Sequence, residues 1–399
     1  MERYETAEAA QRANVTVDEL RRLVELGILK PDAEERFTSG DVRRASLVES
    51  LVATGISLEG LGAAMRSGQV SLDFLDAPAF ERFSAYSGVT FAALAERTGV
   101  PVELLMFIRE AAGSAAPAPD DRVRDEELAP AAMLEAAVTG GMRPAALQQL
   151  MRVQGDSLRR VAETESAIWQ SEVLGPAMAA GARPDEVLGA DMADRMSVLM
   201  EQAVIGMYHL QQTQAWSVDI IAGLEIMLAA AGLHSRLEHP PAMCFLDIAG
   251  YTRLTQERGD VAAAQLAEQL GRLVQRTSIK HGGRPVKWLG DGVMIHFPNP
   301  GQGVVAALEM VDRVVEAGLP PAHVGLHAGP VIFQEGDYYG QTVNVAARIA
   351  AFAEAGEVIV SQAVVDNSSG AAVVYREVGV VELKGVAGAM LLYAAHPPG

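Results

Sequence analysis

The pattern of apolar and polar positions divides the chain near residue 236. Before that point, apolar residues recur with the spacing of helical faces, interrupted by Gly, Pro and Ser. After Pro240, short runs rich in β-branched and aromatic residues alternate with helical segments. Paired prolines cannot continue a helix and suit a connection into a strand. We therefore predict an all-α domain over residues 1–236 and an α+β domain over residues 237–399.

The first half contains an internal repeat. Shifted by 85 residues, segment 9–26 overlies segment 94–111 with six identities. The pattern predicts two units, at about residues 4–75 and 89–160, each with two helices joined by a tight turn, a wing-like loop and a third helix. Two such units are expected to pack as a helical bundle.

The first unit contains the string YETAEAAQRANVTVDELRRLVELGILKP, followed by RFTSGDVRR. These segments resemble the helix-turn-helix of MerR-like transcription regulators. A DNA reader needs basic side chains projecting from the second helix. Arg21 and Arg22 are available there, but acids share their helix, and the second unit has Met106 and Phe107 instead. We expect a packing module without DNA contacts.

A methionine-rich helical stretch covers residues 185–234. Methionines at helical spacing are more often core or dimer interface than a ligand site. Because the stretch immediately precedes the α+β domain, we predict that these connecting helices transmit a signal from the first domain to the second.

Charge and hydropathy narrow the range of partners that the protein can be expected to bind. The formal charge is −19, which disfavours nonspecific binding to nucleic acid or to an anionic membrane. The apolar helical stretch at residues 220–233 contains Glu225 and is too short to cross a bilayer. Residues 1–11 carry acids where a signal peptide needs a basic end. We expect a soluble cytoplasmic protein with no membrane partner.

Two carboxylates in the second half stand at strand ends. Asp247 follows an apolar run and precedes a Gly-containing turn, and Asp291 lies in LGDG between two short β-type runs. Side by side, two such carboxylates offer the hard oxygen ligands that a pair of Mg²⁺ ions requires. Alone, each acid is more often a turn or cap residue.

The strings GLHAGPVIFQEGDYYGQTVNVAARIA and VELKGVAGAMLLY complete a larger pattern. Region 241–395 closely resembles the catalytic domain of class III adenylate and guanylate cyclases. The family's signatures stand here as Phe245–Thr252, Lys287–Asp291 and Gly340–Arg348. The resemblance implies a ferredoxin-like α+β fold with an antiparallel-rich sheet and helices.

The resemblance also assigns the metal and base positions. It implies that Asp247 and Asp291, with the backbone carbonyl of Ile248, bind two Mg²⁺ or Mn²⁺ ions per site. It implies that Lys287 donates to a ring nitrogen of adenine and that Asp337 accepts from its exocyclic amine. A guanine site needs the opposite donor and acceptor pattern, so ATP is favoured over GTP.

Three further positions complete the implied site. Asn344 and Arg348 are four residues apart, hence on one helix face, and match residues that orient the ribose and stabilise the transition state. Lys384 matches the lysine that holds the triphosphate. Only four lysines occur in the chain, so accidental matches at two motif positions are improbable. The implied reaction is in-line attack of the ribose 3′-oxygen on the α-phosphorus, giving cyclic AMP without a covalent intermediate.

In this family each site combines residues of two subunits, so the resemblance implies a homodimer with active sites at the interface. The short arm between Pro330 and Asp337 is similar to that of short-arm bacterial members. The first half resembles the regulatory domain of pH-responsive actinobacterial adenylyl cyclases, which implies inhibition at neutral pH and a pocket for a lipid-like ligand.

Two alternatives stay open at this stage, one of them from a different class of protein. One is a DNA-binding, MerR-like regulator whose cyclase-like domain only senses a nucleotide. The other is a guanylate cyclase. Loss of a metal-binding acid or of Arg348 is the sequence feature that favours the first alternative, and none of them is lost.

Overall fold

The computed structural model describes residues 3–80, 85–233, 239–250 and 259–398. It divides into two compact units, Met1–Ala222 and Gly223–Gly399. The predicted boundary at residues 236 and 237 lies outside the described residues, as do residue 234 of the predicted connector and Tyr251 and Thr252 of the first signature.

The first unit is mainly helical. Its elements are β1 Arg3–Tyr4, α1 Thr6–Ala13, α2 Val17–Glu25, β2 Phe37–Thr38, α3 Ser39–Ala53, α4 Leu58–Arg66, β3 Tyr86–Thr90, α5 Phe91–Thr98, α6 Val102–Ala111, β4 Arg122–Arg124, α7 Leu128–Thr139, α8 Pro144–Trp169, α9 Gly175–Ala179, α10 Pro184–Leu188 and α11 Asp191–Ala230. Two short antiparallel pairs, β1–β2 and β3–β4, accompany the helices. The prediction of a strictly all-α region omitted these pairs; β1, β2 and β4 have only two or three residues each, too few to show strand alternation.

The two repeat units share the same arrangement of two helices joined by a tight turn. Helices α5 and α6 each begin 85 residues after α1 and α2. The turn between the paired helices uses Asn14 (φ 57°) in the first unit and Gly99 (φ 70°) in the second. Both residues occupy the left-handed region, which asparagine and glycine tolerate best.

Each repeat unit has its own apolar core, one built around Leu20 and Phe37 and the other around Phe91 and Leu105. In the second unit, Arg109 donates two hydrogen bonds of 2.7 Å to the carboxylate of Glu127 and one of 2.8 Å to the carbonyl of Arg122. Both charged side chains are buried. A buried, bidentate pair of this kind fixes α6 against the segment that enters α7.

Helix α11 covers most of the methionine-rich segment; it has 40 residues, and none of them is buried. Its apolar side chains are exposed along the whole length; Met207 is 59% and Ile220 61% exposed. A helix with apolar residues on all sides is normally covered by other protein. Among the described residues, no helix combines the length and hydropathy needed to cross a bilayer.

The second unit is an α+β domain. Its elements are β5 Ala242–Ile248, α12 Asp260–Lys280, β6 Arg284–Leu289, β7 Gly292–Phe297, α13 Pro300–Glu316, β8 Ala322–Ala328, β9 Ile332–Gln334, β10 Asp337–Tyr339, α14 Gln341–Phe352, β11 Val358–Ser361, α15 Gln362–Asp366, β12 Val374–Glu382 and β13 Ala389–His396. Seven strands form one sheet in the order β12-β13-β11-β8-β5-β7-β6. All neighbouring pairs are antiparallel except β8 with β11.

The two faces of this sheet are covered unequally. Helices α12 and α13 bury one face in a large apolar core that includes Leu246 and Val293. The opposite face carries α14, whose Ala346 packs on Met243 and Met294. We call this second side the open face, since Phe245 and Asp247 on it stay only half-buried.

Helix α14 lies unusually close to β8. A Cβ atom on Gly325 would stand 2.0 Å from the backbone nitrogen of Ala350. No side chain fits in that space, so glycine is required at this position. The contact sets the distance of α14, and of every residue it carries, from the sheet.

Candidate active site

The two predicted metal-binding acids lie side by side at one end of the sheet. Asp247 is the penultimate residue of β5, next to Ile248. The predicted hairpin is confirmed: β6 and β7 pair with Leu289 opposite Gly292, so that Gly290 and Asp291 form the turn. A Cβ on Gly292 would lie 3.3 Å from Oδ1 of Asp247, which places the turn directly against that carboxylate.

The environment disfavours the charged form of Asp247. Burial raises the pKa of Asp247, and the neighbouring charge of Asp291 raises it further. The backbone N–H of Ile248 donates a 3.1 Å hydrogen bond to Oδ1 of Asp247 and opposes the shift. Two carboxylates that repel one another in a partly dry site are expected to gain from a shared cation.

His323 joins this site and was missed at the sequence level. It lies opposite Asp247 in the β5–β8 pairing, with Nε2 3.9 Å from Oδ2 of Asp247. Its Nδ1 is 2.8 Å from the carbonyl oxygen of Ala350. A carbonyl only accepts, so Nδ1 donates to Ala350 and holds His323 against α14, while Nε2 faces Asp247 and pairs with that carboxylate only when the ring is protonated. Strand register brings these residues together, and register is not readable from the local sequence.

Lys287 and Asp337 form an ion pair across 50 residues of sequence. Lys287 stands on β6 opposite Met294, and Asp337 opens β10. The other oxygen of Asp337 accepts a 2.8 Å hydrogen bond from the backbone N–H of Tyr338. The lysine side chain is 40% exposed and the carboxylate 18%, so the pair is reachable from solvent on the lysine side.

Asn344 and Arg348 lie on α14 and are both exposed, as is Lys384 in the turn after β12. None of the three side chains hydrogen-bonds to another described residue of its own chain. Helix α14 therefore offers an amide and a guanidinium to a molecule or subunit placed outside this chain's own core.

The donor set suits a hard divalent cation. Within the described ranges, no three His, Cys, Asp or Glu side chains converge as a metal site. Asp247 and Asp291 supply carboxylate oxygens only, the ligands preferred by Mg²⁺ and Mn²⁺. Mg²⁺ commonly takes one or two carboxylates and completes its shell with water and substrate phosphate. The pair fits such an ion bound together with a phosphorylated substrate.

Two family models cover most of the chain. Residues 236–396 match the adenylate and guanylate cyclase catalytic domain. Residues 38–212 match the adenylate cyclase regulatory domain. Catalytic domains of this kind generally depend on divalent metals, bind a nucleotide and typically dimerise.

Curated relatives resemble parts of the chain. An uncharacterized protein of Mycobacterium tuberculosis is 27% identical over 218 residues, or 53% of this chain and 54% of that protein. A pH-sensitive adenylate cyclase of the same species is 26% identical over 290 residues, 69% of each chain. An adenylate cyclase of Streptomyces coelicolor is 29% identical over 37% of this chain and 39% of its own length. The chain thus spans about half the length of the first of these relatives.

Among solved structures, the adenylyl cyclase CyaB from P. aeruginosa aligns with 40% of this chain and 95% of its own, at 22% identity and a TM-score of 0.37.

Asp291→Asn is expected to stabilise the metal-free protein at neutral pH by up to about 1 kcal/mol, the scale of partly exposed charge pairs. The folded-state pKa of Asp247 is raised, so its contribution to stability is full below the unfolded pKa and is lost as pH rises through the folded value. Removing Asp291 reduces that loss. The difference between variant and wild type should therefore grow above pH 4 and vanish below it.

Urea unfolding in EDTA from pH 3 to 8 measures this difference. Asp312→Asn, which alters an exposed acid on α13, is the control and should match the wild type. A constant difference across this pH range would contradict the repulsion.

Proposed function

We propose that this chain, in which a cyclase catalytic domain follows an adenylate cyclase regulatory domain, converts ATP to 3′,5′-cyclic AMP and pyrophosphate. The observation that carries the proposal is the placement of two kinds of site residue. The adjacent carboxylates of Asp247 and Asp291 and the ion pair of Lys287 with Asp337 lie within the catalytic domain. The two carboxylates suit metal ions that bind phosphates, and the Lys287–Asp337 pair suits a nucleotide base.

The side chains divide the chemistry between them. Asp247 and Asp291, with the carbonyl of Ile248, would hold two Mg²⁺ or Mn²⁺ ions, which supply positive charge at the phosphates and acidify the ribose 3′-hydroxyl. Arg348 neutralises charge that develops on the transferred phosphoryl group, and Asn344 orients the ribose.

Lys384 completes the substrate contacts. As an exposed, flexible ammonium group without a partner among the described residues, it is free to hold the triphosphate. It would also stabilise the departing pyrophosphate.

Adenine is selected by hydrogen-bond direction. Lys287 only donates, and it would meet the acceptor nitrogen of the adenine ring; Asp337 only accepts, and it would meet the exocyclic amine. Guanine presents a donor and an acceptor in the reverse arrangement, so both protein groups would lose their partners. Unpaired polar groups in a binding site cost several kcal/mol in discrimination.

The active form is a homodimer with its sites at the interface. Asn344, Arg348 and Lys384 have no partners within the described chain, as expected for groups that complete a site on a second subunit. Apolar side chains are exposed on or beside the open face: Leu289 at 49%, Ile332 at 63%, Phe333 at 56% and Tyr339 at 49%. A concentration of this kind is typical of a protein interface.

The regulatory region is expected to bind a lipid-like molecule. A cavity of about 670 Å³ lies between α8 and α11. Its walls are largely apolar and are formed by residues that include Leu158, Val161, Trp169, Met196, Met200 and Val204. Ligand sites of this size and character usually take an apolar body with few polar contacts. In line with the pH-sensitive relative, we propose that this region restrains the catalytic domain at neutral pH.

DNA binding is not favoured. Arg22 pairs with Glu25 and with Glu59, each at 3.2 Å, and Arg21 pairs with Asp18 at 3.5 Å. The basic side chains of α2 are thus matched by acids, which weakens their attraction for phosphate.

We also place the enzyme in the cytoplasm, because its proposed substrate, ATP, is available there.

Asp247→Asn and Asp291→Asn should each lower cyclic AMP formation from ATP by at least about a hundredfold, since each removes charge that holds cations at the phosphates. Product formation with Mn²⁺ or Mg²⁺ measures the effect, with Asp312→Asn as the matched control. Wild-type rates in both variants would refute the metal assignment. A wild type that prefers GTP would show instead a guanylate cyclase.

Mixing two inactive variants tests the shared site. In a heterodimer of Asp291→Asn with Arg348→Ala, one of the two sites retains both wild-type groups. Random pairing makes half of the dimers mixed, so about a quarter of the wild-type activity should return. Mixing Asp247→Asn with Asp291→Asn should restore nothing, because both acids belong to one subunit's half. No recovery in the first mixture would place the whole site in a single chain.

Dodecanoic acid serves as a probe of the α8–α11 cavity. Its binding should change the fluorescence of the wild type but not of Trp169→Phe, because Trp169 lines the cavity. Met200→Arg should weaken binding at least about tenfold by putting a charge into the apolar wall. Leu150→Arg, on α8 but outside the cavity, is the control. Equal binding by both arginine variants would show that the fatty acid binds elsewhere.

A further inference from the structure

The segment that carries Asp337 is a separate two-stranded arm, β9–β10. Its strands pair with one another, and in the described part of the chain neither pairs with the seven-stranded sheet. Glu335 and Gly336 form its turn, with φ values of 54° and 78°. Such a turn matches the twist of a tight hairpin. Apart from its covalent links to β8 and α14, the arm is positioned in the described part of the chain by side-chain contacts.

Aromatic stacking provides one such contact. The ring of Tyr338 lies flat on the imidazole of His296, with centroids 4.4 Å apart and planes inclined by 4°. Phe333, on the other strand of the arm, packs at 5.0 Å from Tyr338 with its ring tilted by 54°. Tyr338 also packs against the cluster that contains Met294 and Ala346. The arm is thereby fixed to β7 of the main sheet.

The stack bears directly on Asp337. The backbone N–H of Tyr338 donates a 2.8 Å hydrogen bond to Oδ1 of Asp337, which leaves Oδ2 for the ammonium of Lys287. A displacement of Tyr338 therefore moves both the backbone of the arm and the rotation of this carboxylate. Lys287 stands on β6 and would not follow.

His296 is suited to this contact because it is uncharged near neutral pH. Burial and the nearby Arg284 lower the pKa of His296 to about 4. A neutral imidazole brings no positive charge close to Asp337 and leaves that carboxylate paired with Lys287.

Taking the proposed function as given, we propose that Tyr338 and His296 are positioning residues for base selection, which hold Asp337 in register with Lys287 so that the pair accepts adenine. Selectivity between two bases depends on donor and acceptor placement to within a fraction of an ångström, whereas turnover also depends on groups far from the base. Loosening the arm therefore lowers selectivity more than it lowers the rate with ATP.

The test compares kcat/KM for ATP with kcat/KM for GTP. In Tyr338→Leu and in His296→Leu the ratio should fall at least about tenfold, mainly through a higher KM for ATP, while the Mn²⁺ dependence is unchanged. Tyr338→Phe keeps the stacked ring and should retain the ratio within about threefold. Tyr375→Leu, which alters a tyrosine packed on the opposite core, is the control for a purely structural loss. It should lower stability without changing the ratio.

The possible outcomes distinguish a failure of the proposed function from a failure of the role proposed for the Tyr338–His296 stack. A wild type that fails to cyclise ATP, or fails to prefer it over GTP, would overturn the proposed function and the role of the stack with it. A selective wild type whose ratio is unchanged in His296→Leu and in folded Tyr338→Leu would overturn only the role of the stack. Thermal unfolding shows whether each variant folds. If Tyr338→Leu does not fold, the ratio measured for folded His296→Leu tests the role of the stack.

Discussion

The close approach of α14 to β8 is the constraint on which the candidate site depends. Gly325 lets the helix backbone come so near the sheet that a methyl group would collide with Ala350. At that depth the carbonyl of Ala350 meets His323, and His323 faces Asp247. The same helix carries Arg348 to the surface. A single steric condition on one glycine therefore sets where α14, with Asn344 and Arg348, stands relative to Asp247 of the same chain.

The second constraint is that one face of the sheet is only partly covered. Two helices bury one face of the sheet, whereas α14 and the β9–β10 arm cover the other incompletely. Phe333 and Tyr339 are exposed on this side, and Asn344 and Arg348 of α14 make no hydrogen bond to another described residue. In isolation the exposed apolar area is unfavourable because it stays in water, whereas the exposed polar groups are hydrated. That contribution is removed if a second copy covers the face, and the polar groups then contact a substrate that lies between the two chains.

The local sequence pattern was enough to predict those parts of the site that are formed by a single short segment of the chain. The strand ending near Asp247 and the hairpin that presents Asp291 are read from alternation and turn chemistry, and both are confirmed. Contacts set by sheet register were not predictable. His323 meets Asp247, and His296 meets Tyr338, only after distant strands have paired. The strands of the first unit were also missed, since β1 and β2 have two residues each and β4 has three, too few to show alternation.

The rigidity of this arrangement limits how the first domain can act on the second. Gly325 and His323 fix α14 against the sheet, and the stack on His296 fixes the arm, so the groups on either side of the site have little freedom within one chain. Packed elements of this kind switch as whole bodies and do not deform gradually. In the proposed dimer, a signal is therefore transmitted most directly as a rotation of one catalytic domain against the other, which separates Arg348 from its partner's carboxylates while each half stays intact.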